Sequence, residues 1–154
     1  MDKLDHRILG QLQQDAGITN QTLADKVGLS ASACLKRVQR LRESGVIEKI
    51  VALVNSSVLG PCLHIVVDVT MTKDDAHLFK RFEQCMNDAK VVKQCYRVTG
   101  ESDFVLIVNV RDMDEYDIFC NDVLYTENNL LKFRTMVARK RSKFDVSTVL
   151  ANQD

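Results

Sequence analysis

Three cationic side chains, Lys36, Arg37 and Arg40, stand at spacings that gather them on one side of a helix, with Ser32 and Ala33 just ahead of them. At about 100° per residue, Ala33, Lys36, Arg37 and Arg40 share an arc facing away from Cys34, Leu35, Val38 and Leu41. One helix thus carries a narrow basic stripe and a narrow apolar one. Arginine can pair with guanine through two hydrogen bonds and lysine can hold phosphates, so this face suits the major groove of duplex DNA. A basic stripe by itself is equally the make-up of an ordinary solvated helix. A second stretch with chemical potential is Val98 to Phe104, VTGESDF. Gly100 can take backbone angles denied to other residues and lets backbone N–H groups approach a carboxylate, while Asp103 or Glu101 can meet an ammonium. The same residues make a plain hairpin turn, and taken alone they favour the turn.

Catalytic chemistry finds little support. There is no GxSxG, no HExxH and no phosphate-cradling glycine loop, and no acid and histidine form a recognisable nucleophile and base pair. Glu101 and Asp103 are two apart in a tight loop, which is more simply a solvated hairpin tip than a pair of working carboxylates. The histidines His6, His64 and His77 and the five cysteines Cys34, Cys62, Cys85, Cys95 and Cys120 show neither ligand spacing nor a CxxC pair. No cofactor, metal site or disulfide framework is expected, and buried reduced thiols are the default.

The basic stripe needs a scaffold, and the flanking sequence supplies one. Asn20 to Leu29 (NQTLADKVGL) reads as a short helix with Leu23, Ala24 and Val27 inward, closed by a turn at Gly28. Ser30 caps the helix that follows and Gly45 stops it. Helix, glycine turn and second helix is the layout of a helix-turn-helix. Leu4 to Asp15, with Leu4, Ile8, Leu9 and Leu12 on one face, adds a first helix. Net charge is zero over 21 basic and 21 acidic residues, so a DNA-binding surface must be local. Residues 1–54 hold eight of the basic and six of the acidic residues, which leaves 13 against 15 for the remainder. No apolar run reaches the roughly 20 residues that span a bilayer, and the N-terminus is not a signal peptide. A cytoplasmic protein that does not meet the membrane is expected.

Downstream the period changes. Val46 to Val54 (VIEKIVALV) reads as a strand, and NSSVLGP, with the only proline, as a linker over 55–61. From residue 62 onward come a strand at Leu63 to Met71, a helix through Ala76, Phe79, Phe82 and Met86, and strands at Val91 to Val98 and Phe104 to Val110. A helix with Met113, Tyr116, Phe119 and Val123 inward and a long basic strand from Leu131 to Lys143 complete the chain. The order βαββαβ is that of a ferredoxin-like α+β fold. The division expected is therefore a helix-turn-helix unit at 1–54, a linker at 55–61 and a second domain at 62–154. FVLIVNV at 104–110 is apolar almost throughout, whereas an antiparallel strand with one wet face should alternate. Two helices cover only one face of a sheet, so a homodimer is the economical inference.

Four pieces, LDHRILGQLQQDAGIT, LADKVGLSASACLKRVQRLRESGVI, VTGESDFVLIVNV and DMDEYDIF, resemble the leucine-responsive regulatory protein and AsnC group of transcription regulators over essentially the whole chain. The resemblance implies a winged or simple helix-turn-helix reader of double-stranded DNA joined to an amino-acid-sensing ferredoxin-like domain. It also implies dimers built through the second domain's sheets, rings of dimers up to octamers, and an effector site near the VTGxxD loop. With it, Val98, Thr99, Gly100, Glu101 and Asp103 become effector residues, and Thr135 and Met136 on the last strand are added as a wall of the pocket. The lack of any charged demand beyond the amino-acid backbone points to leucine or methionine. The chain departs from the resemblance at Tyr125 to Lys132 (YTENNLLK), where the family often has a glycine-containing turn, and in its tail, DVSTVLANQD.

Overall fold

The computed structural model describes residues 1–55 and 58–150, in two compact units. The first holds three helices, α1 (Lys3–Gln14), α2 (Asn20–Val27) and α3 (Ala31–Glu43). Each begins where a side chain can take a free backbone N–H. Asp2 and Asp5 form a reciprocal capping box on α1, Thr19 caps α2 and Ser30 caps α3. Gly28 ends α2 at φ 74°, an angle that favours glycine. Ile8, Leu9, Leu23, Ala24, Val27, Cys34, Val38 and Leu41 make the shared core. Leu35, expected in the apolar stripe, is instead exposed. The buried stripe is centred on Cys34, Val38 and Leu41, and Leu35 lies about 100° to its side.

Val46 to Val54 forms no strand. A ladder needs a partner, and no described strand pairs with this segment, so Ile50, Val51, Leu53 and Val54 stand exposed. Of the expected linker at 55–61, Ser56 and Ser57 lie outside the described residues. Residues 144–150 belong with the three helices rather than with the sheet, which departs from the expected extent of the second domain. Residues 151–154 of the tail lie outside the described residues.

The second unit contains β1 (Leu63–Met71), α4 (Ala76–Asp88), β2 (Val92–Arg97), β3 (Phe104–Val110), α5 (Met113–Phe119) with a π-helical turn at Cys120–Leu124, and β4 (Leu130–Val137). The sheet is antiparallel in the order β2-β3-β1-β4. One face, bearing Ile65, Val67, Val69, Phe104, Leu106 and Val108, is buried with Phe79, Phe82, Met86, Tyr116, Phe119 and Leu124. Burying each large side chain of this kind is worth about 1.5 to 3 kcal/mol. The π-helical turn accounts for a displaced inward position. Tyr125 N–H donates to Cys120 O at 2.8 Å, and the extra residue in that turn brings Leu124 into the core in place of Val123, while Met113 is exposed. β4 ends at Val137, six residues before the expected Lys143. It pairs with β1 only as far as Ile65, and Ala138 N–H closes the ladder on His64 O at 2.8 Å.

Asn129 lies in the segment between the π-helical turn and β4. It is buried; its Oδ1 accepts from Lys73 N–H and its Nδ2 donates to Lys73 O, both at 3.1 Å, and Thr72 N–H donates to its backbone O at 2.7 Å. Glu127 accepts from Asn129 N–H and from Arg81, also at 3.1 Å. This knot ties the loop before α4 to the start of β4. Asn129→Ala leaves two backbone groups of Lys73 without partners and should cost about 1 to 3 kcal/mol in urea unfolding of the full chain.

Candidate DNA interface and effector site

Asp5 lies at the centre of the first unit. It is 1% exposed and accepts from Arg37 Nη1 at 2.8 Å and, through both oxygens, from Arg40 Nη2 at 2.8 Å. Arg37 also donates to Asp2 at 2.7 Å. The capping box adds Asp2 N–H to Asp5 and Asp5 N–H to Asp2, each at 2.9 Å. Burial opposes ionisation of Asp5, but the Asp2 N–H and the Arg37 guanidinium outweigh it and hold the carboxyl below the usual range. The Asp5 N–H, with Arg37, brings Asp2 down to about 2. These two arginines therefore lie on the flank of α3 that meets α1, and their guanidiniums serve that contact. The exposed arc of α3 opposite Cys34, Val38 and Leu41 holds Ser32, Lys36 and Gln39, with Glu43 at its C-terminal end, Arg40 and Leu35 on its two sides and Ala33 half-buried. Sequence reasoning missed Gln39 because it centred the face on charge, and it placed Leu35 in the apolar stripe, from which the structure turns it out.

The Val98 to Asp103 loop sits at the end of the sheet where β1 runs out. Val98 N–H donates to Asp103 O, and Asp103 N–H to Val69 O, both at 2.9 Å. The Asp103 carboxylate accepts from Met71 N–H at 2.7 Å, so one of its oxygens is already spent on holding the loop to β1. Gly100 has φ 128°, which explains the residue type, and a Cβ there would meet nothing within 4 Å. The bonds that close the loop use the N–H groups of Val98 and Asp103, and those of Thr99, Gly100 and Glu101 take no part in them. Thr99, Gly100 and Glu101 are exposed, Val98 and Asp103 half-buried.

Thr135 and Met136 do not join this group. Neighbouring residues of a strand point to opposite faces. Thr135 pairs with Val67 on the helix-covered side and shares a 2.6 Å hydrogen bond with the Tyr116 hydroxyl, while Met136 pairs with Val66 on the open side. The loop is level with Val69 and its partner Phe133, about 7 to 10 Å further along the strand. Asp103→Ala should therefore lower stability by about 2 kcal/mol through the lost Met71 N–H bond. Asp103→Asn, which keeps an oxygen for that bond, should melt within about 1 kcal/mol of the parent; thermal unfolding of the two variants checks this.

Among the described residues no group of three or more histidines, cysteines and carboxylates is placed to hold a metal, and no helix is long and apolar enough to cross a membrane. The thiols of Cys34 and Cys120 are buried and Cys62 is exposed, against the default of burial; burial pushes the half-buried Cys95 up to about 11.

Residues 1–48 match a winged helix-turn-helix DNA-binding family, and residues 64–147 match the Lrp/AsnC ligand binding domain. An uncharacterised HTH-type transcriptional regulator of Sinorhizobium fredii is 37% identical over 143 residues, 93% of this chain and 85% of that protein. The leucine-responsive regulatory protein of Escherichia coli is 32% identical over 143 residues, 93% of this chain and 87% of its own length. Among solved structures, an AsnC family transcriptional regulator from Agrobacterium tumefaciens superposes with a TM-score of 0.87 at 30% identity, covering 97% of both chains. A transcriptional regulator from Neisseria meningitidis, crystallised with L-methionine, gives 0.86 at 26% identity, covering 97% of this chain and 96% of that one.

Proposed function

We infer that this chain, which belongs to the Lrp/AsnC family of DNA-binding transcription regulators, reads duplex DNA with the outward face of α3 and alters that reading when a free amino acid binds its second unit. The observation that carries the DNA reading is the exposed Ser32, Lys36 and Gln39 on the first three turns of a capped helix whose other side is core. Glutamine can pair with adenine through two hydrogen bonds, lysine can reach guanine or a phosphate, and Leu35 can touch a thymine methyl. Arg37 and Arg40 support this face from the side, with Arg40, at 59% exposed, able to spare donors for a phosphate. Ala33 allows close approach.

The effector site proposed is the loop of Val98, Thr99, Gly100, Glu101 and Asp103. Uncommitted N–H groups around Gly100 suit a carboxylate, and Glu101 or the second oxygen of Asp103 suits an ammonium. Leucine or methionine is favoured, the latter because L-methionine occupies the Neisseria relative. A thermal-shift screen of the twenty amino acids tests this, since a ligand of the folded form alone raises the melting temperature with its concentration. A shift with leucine or methionine that vanishes when Asp103→Asn and Glu101→Gln are combined, in a variant that melts within about 1 kcal/mol of the parent, is the expected outcome. No shift at millimolar concentration for any amino acid would sink the effector reading and leave a regulator without one.

A dimer, assembling further into rings up to an octamer, is the proposed working unit. Its support is the open face of the sheet, where Val66, Val105 and Ile107 are half-buried and Tyr96 and Met136 exposed. Apolar side chains of this kind on a face without helices favour a second copy. Sedimentation showing only monomer at micromolar concentration would contradict it.

A further inference from the structure

A run of cationic residues with no place in the reading so far follows β4. Residues 138–143, ARKRSK, hold four basic side chains and no carboxylate, all exposed and outside regular structure. The run is fixed at both ends. Ala138 N–H closes the sheet on His64 O at 2.8 Å. Beyond Lys143, residues 144–150 pack with the three-helix unit. The Gln13 side chain takes the Thr148 N–H and gives its own N–H to Thr148 O at 3.2 Å, pairing both backbone groups of one residue as a strand neighbour would. Leu150 packs on the core of that unit, 3.8 Å from where a Cβ on Gly10 would stand. A tail seated by an amide and an apolar anchor tethers the C-terminal end of the basic run: from Thr148 back to Lys143 the chain spans at most about 17 Å.

Like charges so close repel one another in the free protein, and a polyanion that meets several at once relieves this. An extended run advances about 3.3 Å per residue, against about 3.4 Å of axis per nucleotide in each strand of duplex DNA. We propose that residues 138–143 are a second, sequence-independent contact with DNA, a phosphate-binding strap whose C-terminal end Gln13 and Gly10 hold to α1. It rests on the reading of the first unit as a DNA binder and adds to it residues that none of the unit's helices contains. Arg141 already has a partner within the chain, so the strap is argued from Arg139, Lys140 and Lys143.

The test uses the full chain and a labelled duplex of mixed sequence, with fluorescence anisotropy followed across a potassium chloride series. R139Q/K140Q/K143Q should weaken binding at low salt about tenfold or more and make the slope of log affinity against log salt shallower by about 1 to 3. Gln13→Ala, which leaves every charge in place but unseats the tail, should move both quantities the same way by less. Parental affinity and slope in the triple variant, while Lys36→Ala weakens binding, would overturn the strap alone. Failure of the parent protein to bind any duplex would overturn the DNA reading and the strap with it.

Discussion

Replacing Arg37 and Arg40 together by alanine should abolish DNA binding by unfolding the three-helix unit. Their removal strands the Asp5 carboxylate, 1% exposed, with the Asp2 N–H as its remaining partner. A buried charge that loses its counter-ions costs about 3 to 5 kcal/mol, and a unit of about 60 residues has little more than that to lose. Asp5→Ala should cost less, about 2 to 3 kcal/mol, because Arg37 and Arg40 are 25% and 59% exposed and can turn to water. Adding Asp5→Asn to the double alanine variant should recover part of the loss, since the stranded charge is then gone. Limited proteolysis and urea unfolding separate this from a loss of DNA contacts alone, in which the variant would remain folded.

The same network gives a pH dependence of known sign. In the folded state Asp2 is held at about 2 and Asp5 also lies below the ordinary 3.8. The unfolded chain therefore takes up protons first as pH falls. The contribution of these carboxylates is complete above about pH 4 and is lost as pH drops toward the folded-state values. Acid unfolding of the first unit in that window, weakened in Asp5→Asn, is the expected circular-dichroism result.

Lys36→Ala with Gln39→Ala should have the opposite signature, a large loss of specific binding with almost no change in stability. Both side chains are exposed and neither joins the core, so stability should move by about 0.5 kcal/mol or less. A residue that reads a base is worth about 1 to 3 kcal/mol, and the pair together should lower affinity for the preferred sequence about 100-fold. Binding to unrelated duplex should fall much less. Equal melting curves beside unequal anisotropy titrations would show it.

The contrast between these two pairs of residues shows what the sequence could carry. The start of α3 was legible because Ser30 and the N–H it accepts lie within three residues of each other. The inward face of β1 was legible because Ile65, Val67 and Val69 alternate with polar or half-buried neighbours. The pairing of Arg37 and Arg40 with Asp5 was not, since it joins residues 32 and 35 positions apart and nothing local marks it. For the same reason Val46 to Val54 reads as a strand although it has no described partner, and β4 runs past its end until β1 is known to stop. The π-helical turn at Cys120 shifts the inward face by one residue without a sequence signal. In the effector loop Gly100 was marked by type, but the bond from Met71 N–H to Asp103 depends on β1 lying beside the loop, and the opposite faces of Thr135 and Met136 follow only once both are known to sit within one regular strand.

The most direct test of α3 as the reading helix is selection of bound sites from a pool of random duplexes by the parent protein and by the Lys36→Ala, Gln39→Ala variant, each shown to melt alike. The parent should enrich one preferred sequence, arranged as two half-sites about one helical turn or a multiple apart, and the variant should enrich none or a different one. Enrichment of the same sequence by both, with equal affinity, would contradict the assignment of DNA reading to the outward face of α3.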